Sequence, residues 1–510
     1  MSVTLLPSQY SPAYGYLLDS TIIGLRARAR GRVSVTWGLS LLRLRPQDVV
    51  DGSWGHDAGT EGDVRRVKRE TSASRTPAGG VPRHLFLMHE AVGDTVIDSQ
   101  VLLPLDLLGR RGVTFDLVLF AALRESLREG RERRRARLTR ARSALRPGRV
   151  HVFWTPSTRR RVGLLWSACM LGGMLIPDVL RRRVVVCHCR GLPAAAIARL
   201  VSRFLPRVRY LYDARGDALA EATQFPAPGR PSGSVRDDAR TLLKQETQVV
   251  QHAAVVTCVS GPLKRRLMER HQGLCPRKML VVPCAADEHR FGFDARLRGV
   301  ERRRLGLDGL SVLVYAGALG PAWHGASDFM RLVSHALRAD ERRAFLCVTP
   351  DAAYAQRLAA ATAVPDERCR IISASHGGVP GLMMAADIGL LVRPVSPVND
   401  VACPTKLAEY LVSGLVLLYS PGIGDTEALV SKLGSGRPVP PGCDAMEFAK
   451  AFCEANDLVG DDASRAQRSR IAAESLSWER FLQVRADAYA YAAGLSRGTP
   501  STAFYEDLIG

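Results

Sequence analysis

The chain is poor in aromatic residues, which make up 6% of its 510 positions, and it has no Cys-x-x-Cys pair and fewer acidic than basic groups. Each shortage excludes something. Eleven cysteines at irregular spacing in a chain this long give neither a disulfide framework nor a zinc knuckle. The tightest cluster, Cys187-His188-Cys189, alternates along a strand-like run and splits its side chains between opposite faces, so no metal site is expected. Reduced cysteines fit a cytoplasmic protein. The basic run RESLREGRERRRARLTRARSALR (124–146) contains no aromatic residue on which bases could stack, and no recognition-helix motif appears, so no nucleic-acid partner is expected.

A basic start followed by a long apolar stretch is missing from residues 1–15, so no secretory signal is read there. The one stretch near membrane-span length is VGLLWSACMLGGMLIPDVL (162–180), flanked by Arg159, Arg160 and Arg161 and by Arg181, Arg182 and Arg183. Its uninterrupted apolar part falls short of the roughly 20 residues a span needs. Lying between the strand-like runs VHVFWT (150–155) and VVVCHC (184–189), it reads as a crossover helix, with docking in a membrane interface as the intermediate case.

What is present is a 46% hydrophobic content, enough for a large core, and a net charge of +21 from 71 basic and 50 acidic residues. That excess implies attraction to an anionic partner such as phospholipid head groups or a phosphorylated substrate. The run over 124–146 is read either as a solvated helix or as a patch resting on anionic lipid.

Residues 1–82 mix basic runs with Gly/Pro-rich stretches and show no sustained period; they read as a poorly ordered or mis-assigned extension. From His84, fully apolar strand-like runs (HLFLMHEAV, FDLVLFAAL, VHVFWTP, VVVCHCR, RYLYDARG, VVTCVSG, MLVVPCA) alternate with helical stretches, the mark of a parallel sheet covered on both faces. The alternation restarts with SVLVYAGALG, AFLCVTP, CRIISAS, ADIGLLVRP and LVLLYS. The expected division is 83–284 and 285–475 for two Rossmann-like α/β domains, with 476–510 a helix and tail after them. Ligands in such sheets bind at the carboxyl ends of the strands, which makes the cleft between the domains the expected site.

The stretch CPTKLAEYLVSG (403–414) has Pro404 at a helix start, where the amides of Thr405, Lys406 and Leu407 would point outward and the dipole favours an anion. Lys406 adds a cation, and Glu409 one turn on can accept hydrogen bonds from a ribose diol. The same residues also fit a capped helix carrying an internal Lys406–Glu409 pair, and this stretch alone does not separate the two readings.

PTKLAEYLVSG resembles the donor-binding helix of bacterial family-4 glycosyltransferases, which have the GT-B architecture of two facing Rossmann-like domains. Further similar stretches follow in order: VTCVSGPLKRRL, VVPCAADEHRF, VLVYAGALGPAWHG, VPGLMMAADIGLLV and PGIGDTEALV, and on the acceptor side GDTVIDSQV, VVCHCRG and LYDARGDALAE. The resemblance covers about 84–495 and implies a retaining transferase without cofactor or obligatory metal. It implies a nucleotide-sugar donor, a lipid-linked or polysaccharide acceptor, and a place at the inner face of the plasma membrane. Carried over residue by residue, it marks His188, Arg190 and Lys406 as catalytic. Gly317, Gly320, Pro404, Thr405, Lys406, Glu409 and Lys264 are marked for the donor, and Gly93, Asp94, Asp213, Arg215 and Glu221 for the acceptor side; Trp323 and His324 would line the cleft. The final helix, SWERFLQVRADAYAYAAGL, capped by Ser477, would cross back to the first domain. Two departures stand out. Val401, with Asp400 beside it, occupies the place of a second glutamate, and no cation follows the glycine turn before Arg331, leaving Lys406, Arg393 or Lys264 to neutralise a diphosphate. A sugar epimerase or a non-catalytic sugar-nucleotide binder would share the fold.

Overall fold

The computed structural model describes residues 81–89, 95–123, 131–156, 161–226, 232–320, 324–375 and 377–510, all within one compact unit. The segment expected to be a poorly ordered extension therefore lies almost wholly outside the described residues. Two sheets carry the architecture, and every strand pairing in both is parallel. The first has the order β3-β2-β1-β4-β5-β6-β7. Its strands are β1 Arg83–Met88, β2 Phe115–Ala122, β3 Val150–Thr155, β4 Val185–Arg190, β5 Val208–Ala214, β6 Val255–Cys258 and β7 Met279–Val281. The second, β10-β9-β8-β11-β12-β13, comprises β8 Ser311–Ala316, β9 Arg343–Val348, β10 Cys369–Ile372, β11 Ile388–Leu391, β12 Val416–Tyr419 and β13 Gly436–Pro438.

The strands are apolar on both sides because helices cover both faces, as the continuous Val/Leu/Ile runs require. In β4, Val185, Cys187 and Cys189 pack beneath the crossover helices, while Val186 joins the apolar layer under the C-terminal helix. Strand order reverses beside β1 and β4 in one sheet and beside β8 and β11 in the other, and these switch points open the crevices where ligands bind in such sheets.

The helix Trp478–Ala493 returns to the first domain, as expected: Trp478 is fully buried, its indole N–H donates to the Ser99 carbonyl at 2.9 Å, and Arg209 donates to the Ala492 carbonyl. Ser477 precedes this helix but makes no side-chain cap. A last short helix, Ala503–Ile509, buries Tyr505 against the joint between the domains. The apolar stretch 162–180 forms the helix Arg161–Leu180 between β3 and β4, as a crossover should. It is also long and apolar enough to cross a membrane by length and composition.

Candidate functional site

The donor-side helix Thr405–Val412 starts from Pro404, whose extended ψ of 127° aims the chain into the helix. The amides of Thr405 and Lys406 have no carbonyl behind them, whereas Leu407 donates to the Pro404 carbonyl at 3.0 Å. Two outward amides are therefore available, one fewer than the helix-start argument expects.

Lys406 is only 8% exposed, and its ammonium lies 3.6 Å from the ring centroid of Tyr315. No ion pair joins it to Glu409, so the reading of this stretch as a self-paired helix does not describe the fold. Arg393, just beyond β11, shares the spot: its guanidinium donates to Asn399 at 3.3 Å and its backbone N–H to the Ser420 hydroxyl. Burial lowers the pKa of both cations, and the charge of Arg393 lowers that of Lys406 further. A pair of mutually repelling, half-desolvated cations is costly unless an anion joins them. Glu409 is the converse case: burial lifts its carboxyl to about 7, although Lys406 and Arg290 pull it down.

Gly317, at the end of β8, explains how Lys406 reaches this position. Its φ is 136°, and a Cβ there would stand 3.2 Å from the Lys406 Nζ, so glycine serves both the backbone and the passing side chain. Gly320 differs, since a Cβ would meet nothing within 4 Å and its amide, with that of Leu319, donates to Asp351. The turn is thus held by a protein carboxylate. His324 donates to the Ala318 carbonyl at 2.8 Å, and burial with Arg393 and Lys406 depresses its pKa to about 2, so the imidazole is neutral. Trp323 lies outside the described residues, as do Gly93 and Asp94.

From the first domain, β4 and β5 bring Arg190 level with Asp213 in the sheet register. Arg215 lies 3.7 Å from Asp213 and donates to the Cys284 sulfur at 2.9 Å. Burial favours a neutral Asp213, but Arg215 and His188 more than offset that and hold its carboxyl below the usual range. Cys284 donates its backbone N–H to Cys403 at 3.2 Å, which links the end of the first domain to the residue before Pro404. The Cys403 thiol, Arg215, Thr405 and Arg190 pull the Cys284 thiol down to about 5. Cys284 lies within VVPCAADEHRF and Cys403 opens CPTKLAEYLVSG, but nothing in the sequence pairs positions so far apart.

His188 and Arg190, two apart on β4, are both buried, at 2% and 6% exposure. His188 stacks on Phe86 at 4.5 Å, and holds Tyr489 at 3.0 Å and Asp213 at 3.4 Å. In this conformation it ties β4 and β5 to the C-terminal helix. Lys264 is likewise committed elsewhere, to Glu506 at 2.7 Å. Glu221 is exposed on the helix Ala218–Gln224, outside the cluster. The place of the missing glutamate is explained physically: Val401 is fully buried, and Asp400 turns to Arg266 of the first domain.

The domains meet beside this cluster. Ser260 donates to the Val401 carbonyl at 2.7 Å, the Gly261 amide donates to Asp425 at 3.0 Å, and Tyr505 donates to the same carboxylate. An open cavity of about 470 Å³ lies alongside, lined by Asp217, Thr223, Arg266, Arg270 and Pro397. Among the described residues no group of three His, Cys, Asp or Glu side chains could hold a metal ion.

No protein-family model and no curated protein matches the chain. Solved structures match it in fold. The Anabaena HepE protein, crystallised with UDP, is 13% identical with a TM-score of 0.55, over 80% of this chain and 99% of that one. A glycosyltransferase from Rickettsia africae is 13% identical with a TM-score of 0.58, over 81% and 99%. The α,α-trehalose 6-phosphate synthase of Burkholderia multivorans is 12% identical with a TM-score of 0.51, over 81% and 100%. The architecture, two parallel-sheet α/β domains with a helix crossing back, is GT-B.

Proposed function

We propose that the chain is a glycosyltransferase that moves a sugar from a nucleoside-diphosphate donor to a lipid-linked or cell-surface polysaccharide acceptor, with retention, at the inner face of the plasma membrane. The observation that carries this reading is the pairing of Lys406, buried, and Arg393, half-buried, at a helix start, with no carboxylate among the described residues within ion-pair distance of either. A diphosphate supplies the two charges they lack. Glu409 then stands one turn away to accept from the ribose diol. The similar Anabaena and Rickettsia structures support the same class of chemistry.

In the proposed reaction the bond between the anomeric carbon and the donor phosphate oxygen breaks, and the acceptor hydroxyl oxygen bonds to that carbon on the same face. The acceptor proton passes to the departing phosphate oxygen. Lys406, Arg393 and the amides of Thr405 and Lys406 stabilise the charge that grows on the leaving diphosphate, which is where electrostatic catalysis is strongest. Arg190 and Arg215 face the sugar from the first domain, and the groove near Glu221 admits the acceptor. His188 orients Asp213 and the strand end in this scheme.

A second reading, a sugar-nucleotide binder without turnover, is favoured by the glycine turn being occupied by Asp351 and by Val401 in place of a carboxylate. Nucleoside-diphosphate release decides between them: incubation of the protein with each nucleotide sugar and a bacterial lipid extract should release it only when lipid is present. Donor binding without release under any acceptor would establish the binder.

A further inference from the structure

The crossover helix Arg161–Leu180 breaks the rule that a surface helix is polar outside. Its outward residues Val162, Leu165, Trp166, Met170, Ile176 and Leu180 recur at helical spacing, with Leu165 54%, Trp166 51%, Ile176 51% and Leu180 77% exposed. The inward face packs Leu171 and Leu175 on the sheet, and the helix's one carboxylate, Asp178, also turns inward, to Arg83 at 2.7 Å. The outer face is therefore apolar from end to end. Trp166 donates its indole N–H to the Trp154 carbonyl, so the ring needs no water, and Trp154 itself is 41% exposed. Arginines fringe the stripe: Arg181 and Arg182 at one end with Arg207 bonded to the Arg182 carbonyl, and Arg134 over the Trp154 ring at the other.

We propose that this face docks on an anionic lipid bilayer, with the helix lying in the interface plane. An apolar stripe carrying tryptophan inside a basic fringe matches acyl chains flanked by anionic head groups. A second copy of a chain with net charge +21 would instead set arginine against arginine. Spanning is excluded by the fold, because the helix is packed on the first sheet between β3 and β4, and withdrawing it would unmake that packing. The proposal names the surface for the membrane placement given under Proposed function and does not depend on the donor site.

Sedimentation of the full chain with phosphatidylcholine vesicles, with and without phosphatidylglycerol, tests it. Wild type should bind the anionic vesicles with a blue shift of tryptophan emission. Leu165→Ser/Ile176→Ser should weaken binding at least about tenfold through lost apolar burial. Arg181→Gln/Arg182→Gln should weaken binding several-fold on anionic vesicles alone. Unchanged thermal melting shows that the variants fold, and their donor response is followed separately, so loss of lipid binding cannot be mistaken for loss of the donor site. Equal binding by wild type and the apolar variant, or no binding at all, overturns the proposal. So does a dimer in sedimentation velocity that the apolar variant abolishes, which would give the face to a second copy.

Discussion

Lys406 and Arg393 sit side by side against their own electrostatics, and the cost of that arrangement is measurable. Lys406→Met removes a buried charge while keeping the length of the side chain, so it should raise stability by about 1–2 kcal/mol. For a domain of this size that is a few degrees in Tm, and the same variant should lose donor binding, read by calorimetry. Glu409 gives a pH signature. Its folded pKa of about 7 lies above the ordinary 4.5, so its contribution is fully favourable below pH about 4.5 and is lost as pH rises through about 7. Glu409→Gln should therefore gain in Tm over wild type between pH 5 and 8, roughly the window set by the two pKa values. It should also abolish a rise in donor affinity over that range. The residues of this helix are legible in the sequence because one turn of helix fixes which side chains share a face. The surroundings of His188 are not, because strand alternation says which residues share a face but not which element will cover it. The Cys284–Cys403 contact depends on two chain segments meeting only in the folded molecule.

Among the elements, the glycine turn after β8 is the most informative. Gly317→Ala should cost about 1–3 kcal/mol for the left-handed φ and should push Lys406 off its position, weakening donor binding as well as lowering Tm. Gly320→Ala should be neutral within about 0.5 kcal/mol, since its Cβ would enter open space. A donor affinity unaffected by Gly317→Ala would separate the turn from the site. Twelve of the thirteen strands follow from apolar runs of the right length. The thirteenth, Gly436–Pro438, hides behind the two residue types least common in strands, and only its edge position allows them. The 21-residue helix Ser232–His252 is mostly polar and meets the core along a narrow stripe that ends in the buried Val249 and Val250, so its composition hides it better than its period does.

Across the whole molecule, the chain segment at the end joins direct contacts such as Ser260 with Val401 in holding the two domains together. Trp478 is fully buried in the apolar layer shared by both, so Trp478→Ala should cost about 3–5 kcal/mol and loosen the cleft, seen as a lower Tm and a larger hydrodynamic radius. The two-domain plan is legible because the strand-helix alternation stops and restarts. The way the domains close is not, because it rests on single contacts such as Ser260 with Val401 and Gly261 with Asp425. The central claim, that the start of the helix Thr405–Val412 holds a nucleoside diphosphate, is tested most directly by isothermal titration of the protein with UDP-, GDP-, ADP- and dTDP-sugars. Binding of one nucleotide class that Lys406→Met abolishes and Glu409→Gln weakens is the expected result. No binding of any class by the folded protein, or binding that neither substitution changes, would contradict it.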